Sequence, residues 1–542
     1  MRENSILIFF FVLIFAMMLF QWIRKRQKKE DDRLSAFGQA PTELDYELDS
    51  IELFHHYAKE KSAERFVDEI TWNDLNMKDV FKRINVCATS AGEEYLYHLL
   101  HQGEFNKEQL AVREELIDWF IQNSAARVDV QKILFGLGKQ AYNGFAHSLF
   151  HTEESHLKAP WLYAVLAVLP ILSWGLLAIS VGAAVIAFVL TGALNAFIHF
   201  YFKMHLEKDL ASRRFFSAML RTVKKLNQYD QSGWQKNSTA LKEAYKPFRY
   251  VRFVGGSASA QPAANDMAIF ADYVRMIFLV DIIKYNYVGR VMRRNQQHLR
   301  ALFETLGEID VAICILSYRE SLPHCCLPDF SDKAGMRFEG MYHPLLNNPV
   351  VNAAKIDNDS LITGSNASGK STFIKALAIN NILAQTIHTC CASSYELKGG
   401  LVVTSMAMRD DILSGESYFI REIKSLKRII DDVEAGYCTC FIDEILRGTN
   451  TRERIAASTA VLESLHQTKS ICIAASHDLE LTEILAGQYD NYHFSEQIVG
   501  DDVVFDYTLK DGPSQTRNAI RLLERMGFEQ EIVLKAYRLA DK

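Results

Sequence analysis

Forty-two consecutive residues, Trp161 to Phe202, contain no Asp, Glu, Lys or Arg. As one helix that stretch would span roughly 63 Å, about twice the ~30 Å hydrocarbon thickness of a bilayer, so a single crossing does not fit and a helical hairpin does. Its turn is expected near Ser180-Val181-Gly182. A soluble pair of core helices would need a polar face, and this stretch has none. A second uncharged run, Asn4 to Ile23, is followed at once by Arg24-Lys25-Arg26-Gln27-Lys28-Lys29, the kind of basic flank that stays on the cytoplasmic side. A cleaved signal peptide is the competing reading, but the basic cluster lies after the apolar run and no small-residue cleavage site follows it. Lys203, Lys208, Arg213 and Arg214 follow the hairpin, so this exit also lies inside. Three crossings, with the amino terminus outside, would hold everything from Lys203 onward in the cytoplasm at the inner membrane.

The carboxyl-terminal part has a different grammar. Gly364-Ser365-Asn366-Ala367-Ser368-Gly369-Lys370-Ser371, extended by Thr372, fits the phosphate-binding pattern G-x-x-x-x-G-K-[ST]. Backbone N–H groups of such a loop surround a β-phosphate, Lys370 can reach the β/γ oxygens, and the Ser371 hydroxyl can ligate Mg²⁺. Apolar Leu361-Ile362 before the loop and Phe373-Ile374-Lys375-Ala376-Leu377 after it supply the strand and helix the motif requires. Further on, Cys438-Thr439-Cys440-Phe441-Ile442-Asp443-Glu444 reads as a buried strand ending in two acids, at the spacing expected if it neighbours the loop strand. Asp443 would hold Mg²⁺, directly or through water, and Glu444 would polarise an attacking water. A third apolar run, Ile471 to Ala475, ends in Ser476-His477-Asp478 and would set His477 beside the phosphates.

The formal charge of −6 and pI near 6.3 give no global electrostatic footprint for nucleic acid. Nine cysteines without a paired framework, several inside apolar runs, indicate a reducing compartment, and no spaced Cys/His pairs suggest zinc. Residues 43–150, Lys203 to Tyr229 and Met267 to Glu320 have helical spacing, with a breaker at Gly255-Gly256-Ser257. Near Pro328 the pattern changes to short β runs alternating with helices.

The ATPase segment resembles the carboxyl-terminal domain of the MutS DNA mismatch-repair family. Met341-Tyr342-His343-Pro344-Leu345-Leu346 looks like the family's opening motif. Thr363 to Thr372 is similar to its T-G-P-N-M-G-G-K-S-T loop, with Ser365, Ala367 and Ser368 substituted. Asp410 to Phe419, Asp443 to Thr451 and Ser476 to Thr482 are similar to D-D-L-x-x-G-x-S-T-F, D-E-I-G-R-G-T-S-T and T-H-Y-F-E-L-T. The resemblance implies an ABC-type ATPase homodimer with composite sites. Ser417 of one subunit would approach the γ-phosphate held by the other, Asn366 would contact nucleotide, and His477 would sense the γ-phosphate. Where the family stacks an aromatic on adenine this chain has Val350, with Tyr507 opposite. Thr89 to Leu96 and Leu306 to Ala312 look like the start and end of the family's core-and-lever region. The Phe-x-Glu mismatch-reading domain has no counterpart.

The expected fold is therefore an α/β P-loop (ABC-type) ATPase domain at residues 331–542, preceded by an all-α lever and core scaffold with three transmembrane helices. Its parts are an anchor at 1–30, a helical region at 31–158, a membrane hairpin at 159–204 and a second helical region at 205–330. The leading functional expectation is a membrane-anchored, MutS-like ATPase using ATP and Mg²⁺ to move helical levers, with DNA as the inherited ligand. The competing expectation is a membrane remodelling or signalling ATPase that no longer handles mismatched DNA. A transporter subunit is a third reading, against which stand the few crossings and the Asp443-Glu444-Ile445-Leu446-Arg447-Gly448-Thr449 signature.

Overall fold

The computed structural model describes residues 17, 20–21, 24–25, 28, 30–41, 48–140, 144–151, 159–205, 207–229, 234–251, 273–365, 368–406, 418–446, 449–499, 502–514 and 527–540. The expected amino-terminal crossing, Asn4 to Ile23, lies outside these residues but for Met17, Phe20 and Gln21. The chain folds as two compact units, one of residues 1–62, 85–98 and 112–318, the other of residues 63–84, 99–111 and 319–542.

The first unit is helical among the described residues. Its interior is aromatic, with Phe145 in contact with Phe215, Phe216 and Phe303. The two stretches that look like the start and end of the core-and-lever region meet here. The Asp310 carboxylate accepts from the backbone N–H groups of Ala88 and Thr89 and from the Thr89 hydroxyl, at 3.0, 2.8 and 2.6 Å. A Cβ on Gly92 would fall 2.3 Å from Asp310, and one on Gly307 would fall 2.7 Å from Tyr95, so both glycines are needed for the two helices to approach so closely. Arg113 pairs with Glu308 at 2.6 Å beside this contact.

Among the described residues of this unit, two helices are long and apolar enough to cross a membrane by length and composition, Pro160–Ala178 and Val181–Phe202, of 19 and 22 residues. The chain turns at Ile179 and Ser180. Pro170 lies inside the first helix, where it has no N–H to give the carbonyl of Leu166. The Asn195 side chain from the second helix fills that gap. Its Nδ2 donates to Leu166 O at 2.9 Å and to Ile277 O at 2.7 Å, just before the left-handed break at Leu279. One amide thus serves carbonyls at two helix interruptions.

The second unit has a six-stranded sheet. Its strands are β4 (Ser360–Thr363), β6 (Leu401–Ser405), β7 (Cys438–Asp443), β8 (Ile471–Ser476), β9 (Asp490–His493) and β12 (Lys510–Asp511), in the order β12-β9-β4-β8-β7-β6, parallel except for β12. The central strands are buried along their whole length, as expected of a parallel sheet covered on both faces. Val403, Cys440, Ile442, Cys472 and Ala474 share one face with Leu426, Ile429 and Val433 from helix Tyr418–Ala435 and Leu462 from helix Thr451–His466. Helix Lys370–Ile387 packs on β6, β7 and β8. A second sheet combines β1 (Asp329–Phe330), β5 (Ser394–Leu397), β2 (Met336–Met341) and β3 (Asn352–Ile356), and a hairpin joins β10 (Glu496–Val499) to β11 (Asp502–Phe505).

The loop strand and the acid strand are not neighbours, which corrects the sequence expectation. β8 lies between β4 and β7 and pairs with both.

Residues 63–84 and 99–111, which the sequence reading places in the 31–158 helical region, group with 319–542. Helix Glu69–Asp74 lies along the edge strand β6. Thr404 N–H donates to Thr71 Oγ1 at 3.1 Å, and the Thr404 hydroxyl and Met406 N–H donate to Asp74 Oδ2 at 2.7 and 3.0 Å. Arg428 donates to Asp68 and to the Thr404 carbonyl from the other side. A bare strand edge is a template for unwanted pairing, and these side chains close it. Burial raises the Asp74 carboxyl to a pKa of about 6, against the pull of its hydrogen bonds from Thr404 and Met406.

Candidate functional site

The sheet register brings the chemistry together. Thr363 on β4 lies level with Ser476 on β8, and Ala475 lies level with Asp443 on β7. The residues that follow each strand, Gly364, His477 and Glu444, therefore emerge side by side at the carboxyl edge, where ligands of open α/β sheets bind.

The loop after β4 is shaped by its two glycines. Gly364 has φ +139, and a Cβ there would fall 2.6 Å from the Phe494 carbonyl. Gly369 has φ +99, and a Cβ there would stand 3.0 Å from the Tyr507 ring. A side chain at either position would be both strained and obstructed. Ser368 closes the turn, its hydroxyl donating to Ser365 O at 2.6 Å. Asn366 and Ala367 lie outside the described residues. Lys370 opens the helix Lys370–Ile387. Its side chain is 2% exposed and folds back so that Nζ donates to the carbonyls of Gly364 and Ser365, the second at 2.9 Å. Burial lowers its pKa to about 8, while the negative charges of Asp443, Glu444 and Glu496 oppose the fall. Thr372 points outward and is exposed.

Burial pushes the Asp443 carboxyl up, against the pull of the neighbouring Ser371 hydroxyl. Asp443 Oδ1 is buried without a hydrogen-bond partner among the described residues. A desolvated carboxylate oxygen beside a hydroxyl is the hard donor set that Mg²⁺ takes, so Ser371 and Asp443 fit that ion. Glu444 follows with φ +60, an uncommon conformation for a non-glycine residue that concentrates at functional sites. Its N–H donates to Ala475 O at 3.0 Å, and its Oε1 lies 2.6 Å from His477 Nε2. The adjoining Asp478 is clamped by Arg454 through bonds of 2.7 and 2.6 Å, which fixes the turn that carries His477.

Tyr507 has φ +52 and is held by Asn352, whose Nδ2 donates to Tyr507 O at 3.1 Å and whose Oδ1 accepts from Leu509 N at 2.8 Å. Its ring is half exposed over Gly369, open to a flat partner. Val350 is also exposed. Ser417 and the rest of 407–417 lie outside the described residues, as do Arg447 and Gly448. Glu496, which sequence reasoning missed, accepts from the Ser365 hydroxyl and adds a carboxylate beside Lys370. A single acid at the start of a short hairpin strand carries no motif that could have found it.

Residues 360–542 match the family described as MutS domain V. The chain is 30% identical over 263 residues to the DNA mismatch repair protein MutS of Natronomonas pharaonis, covering 46% of this chain and 30% of that protein. It is 29% identical over 279 residues to MutS protein homolog 4 of Homo sapiens, covering 48% and 29%. Against the MutS protein of Staphylococcus haemolyticus it is 27% identical over 293 residues, covering 51% and 32%. The chain thus spans about a third of the length of the curated relatives it matches.

Proposed function

The chain belongs to the MutS family, and from that premise we propose that its second unit is a Mg²⁺-dependent ATP hydrolase acting as a homodimer. The observation that carries this reading is the meeting of Lys370, Asp443, Glu444 and His477 at one sheet edge. On nucleotide binding Lys370 would exchange two carbonyls for β- and γ-phosphate oxygens, and the loop N–H groups would receive the phosphates. Ser371 and Asp443 would hold Mg²⁺, which supplies positive charge against the phosphate oxygens. Glu444 would orient the attacking water and take its proton, with His477 holding the carboxylate in place. Ser417 of a second copy would complete the site. Phosphate release measured with and without Mg²⁺ tests the reading, and no turnover above a Lys370→Ala control would overturn it.

Tyr507 would stack on the adenine. Tyr507→Ala should weaken ATP binding about 3- to 10-fold, on the order of the 0.5–1.5 kcal/mol of an aromatic stack, with kcat little changed. Unchanged affinity for ATP would remove the base from that face.

The two apolar helices support attachment to a membrane as a hairpin, with the ATPase on the cytoplasmic side and levers moved by its nucleotide state. Trp161, Val165, Ile186, Leu190 and Phe197 expose apolar side chains along them, as lipid contact would require. The protein should stay in the membrane pellet through an alkaline carbonate wash, and its release would overturn the anchor. DNA binding should be weak, salt-sensitive and indifferent to mismatches. Duplex, mismatched and branched DNA compared across a salt series distinguishes this from conventional repair, which a large mismatch preference at physiological salt would restore. No DNA binding at all would favour the remodelling or signalling reading.

A further inference from the structure

Away from the nucleotide site, Cys326 and Cys390 face each other across one antiparallel bridge. Each donates its N–H to the other's carbonyl at 3.0 Å. In a pair bonded both ways the Cα atoms stand about 5.5 Å apart, inside the ~4.4–6.8 Å range that a disulfide spans without backbone movement. The Cys390 sulfur donates to the Asn380 carbonyl at 3.7 Å, and the Cys326 and Cys390 thiols are close enough to shift each other's acidity. Cys326 is partly exposed and Cys390 is buried. The adjacent Cys325 is directed elsewhere, its sulfur towards the Arg319 carbonyl at 3.9 Å.

We propose that Cys326 and Cys390 are a thiol–disulfide site, oxidised by a small disulfide of the glutathione class. Cys326 as thiolate attacks one sulfur of oxidised glutathione. A mixed disulfide forms, and the glutathione thiolate that leaves takes up the displaced proton. Cys390, deprotonated in turn, attacks the Cys326 sulfur. The internal S–S bond forms and the second glutathione leaves as its thiol, so two protein thiols are oxidised and one small disulfide is reduced. The order follows from the surroundings. The neighbouring Cys390 thiol draws the Cys326 thiol below its ordinary range, while burial pushes Cys390 well above it, so the accessible sulfur attacks first.

The bridge would act on a defined joint. Cys390 lies just beyond the helix that begins at Lys370, and Arg319 already holds that tail through Thr389 Oγ1 at 2.8 Å and His388 O at 3.0 Å. Oxidation would turn this hydrogen-bonded clasp between 319–326 and 388–390 into a covalent one.

The test equilibrates the full-length protein in detergent with a series of reduced-to-oxidised glutathione ratios. Samples are then acid-quenched, alkylated and peptide-mapped by mass spectrometry. A Cys326–Cys390 linked peptide should grow with oxidant, disappear on adding dithiothreitol, be lost in Cys326→Ser and Cys390→Ser, and persist in Cys325→Ser. Full alkylation of both thiols at every ratio in protein that keeps its thermal transition would overturn the proposal. So would a link that joins Cys325 or Cys391 instead.

Discussion

Glu444→Gln should lower kcat for ATP hydrolysis by about 10²- to 10⁴-fold, the usual contribution of a positioned general base, while ATP binding is kept. The substitution preserves shape and the oxygen that meets His477, and removes only the basicity. Glu444 is poised for that loss to be large. It sits one residue past Asp443, in a left-handed conformation, with its carboxylate 2.6 Å from His477. Lys370→Ala should behave differently and lose most nucleotide binding, because a buried ammonium aimed at the loop supplies affinity as well as rate. Nucleotide binding and single-turnover phosphate release measured on both variants separate the two effects. Turnover in Glu444→Gln equal to the parent would take Glu444 out of the mechanism.

Trp72→Ala should destabilise the second unit by about 3–5 kcal/mol, the cost of emptying a large buried aromatic site. Trp72 is 0% exposed and its ring stacks on His101 at a centroid distance of 3.5 Å. Both residues come from the amino-terminal segments that complete this unit, and Trp72 lies in the helix that closes the β6 edge. The loss should therefore appear as faster hydrogen exchange in Leu401–Ser405, far from the substitution in sequence. A fragment of residues 331–542 should show the same exposure in full and self-associate through the bare strand. Unaltered protection of β6 in both proteins would mean the edge needs no cover.

What the sequence made legible was the chemistry with a local signature. Two glycines at fixed spacing before Lys370, two acids after a buried run and His477 after another each mark a strand's carboxyl end, and the register then brings those ends together. The order of the strands was not legible, because β8 inserts between β4 and β7 through contacts that no local pattern encodes. The edge cover was hidden for the same reason. Thr71 and Asp74 are ordinary polar positions on a short amphipathic helix, and only the folded sheet shows that they receive the N–H groups of Thr404 and Met406. Pro170 and Asn195 were visible as residues, but not as complementary halves of one interruption.

The same edge cover fixes an order of events during synthesis. Asp68, Thr71 and Asp74 leave the ribosome 330 to 360 residues ahead of Arg428 and Thr404. At the usual ~5–20 residues per second that is a wait of about 15–70 s. Through that interval helix Glu69–Asp74 has no sheet to lie on, and Trp72 has only its own small neighbourhood to bury it. The apolar helices from Pro160 to Phe202 are made in the first half of the wait. The second unit is thus a late assembly that cannot finish until its last strands return to residues made at the start, and a stalled or truncated chain would present an unburied tryptophan to the cell's chaperones.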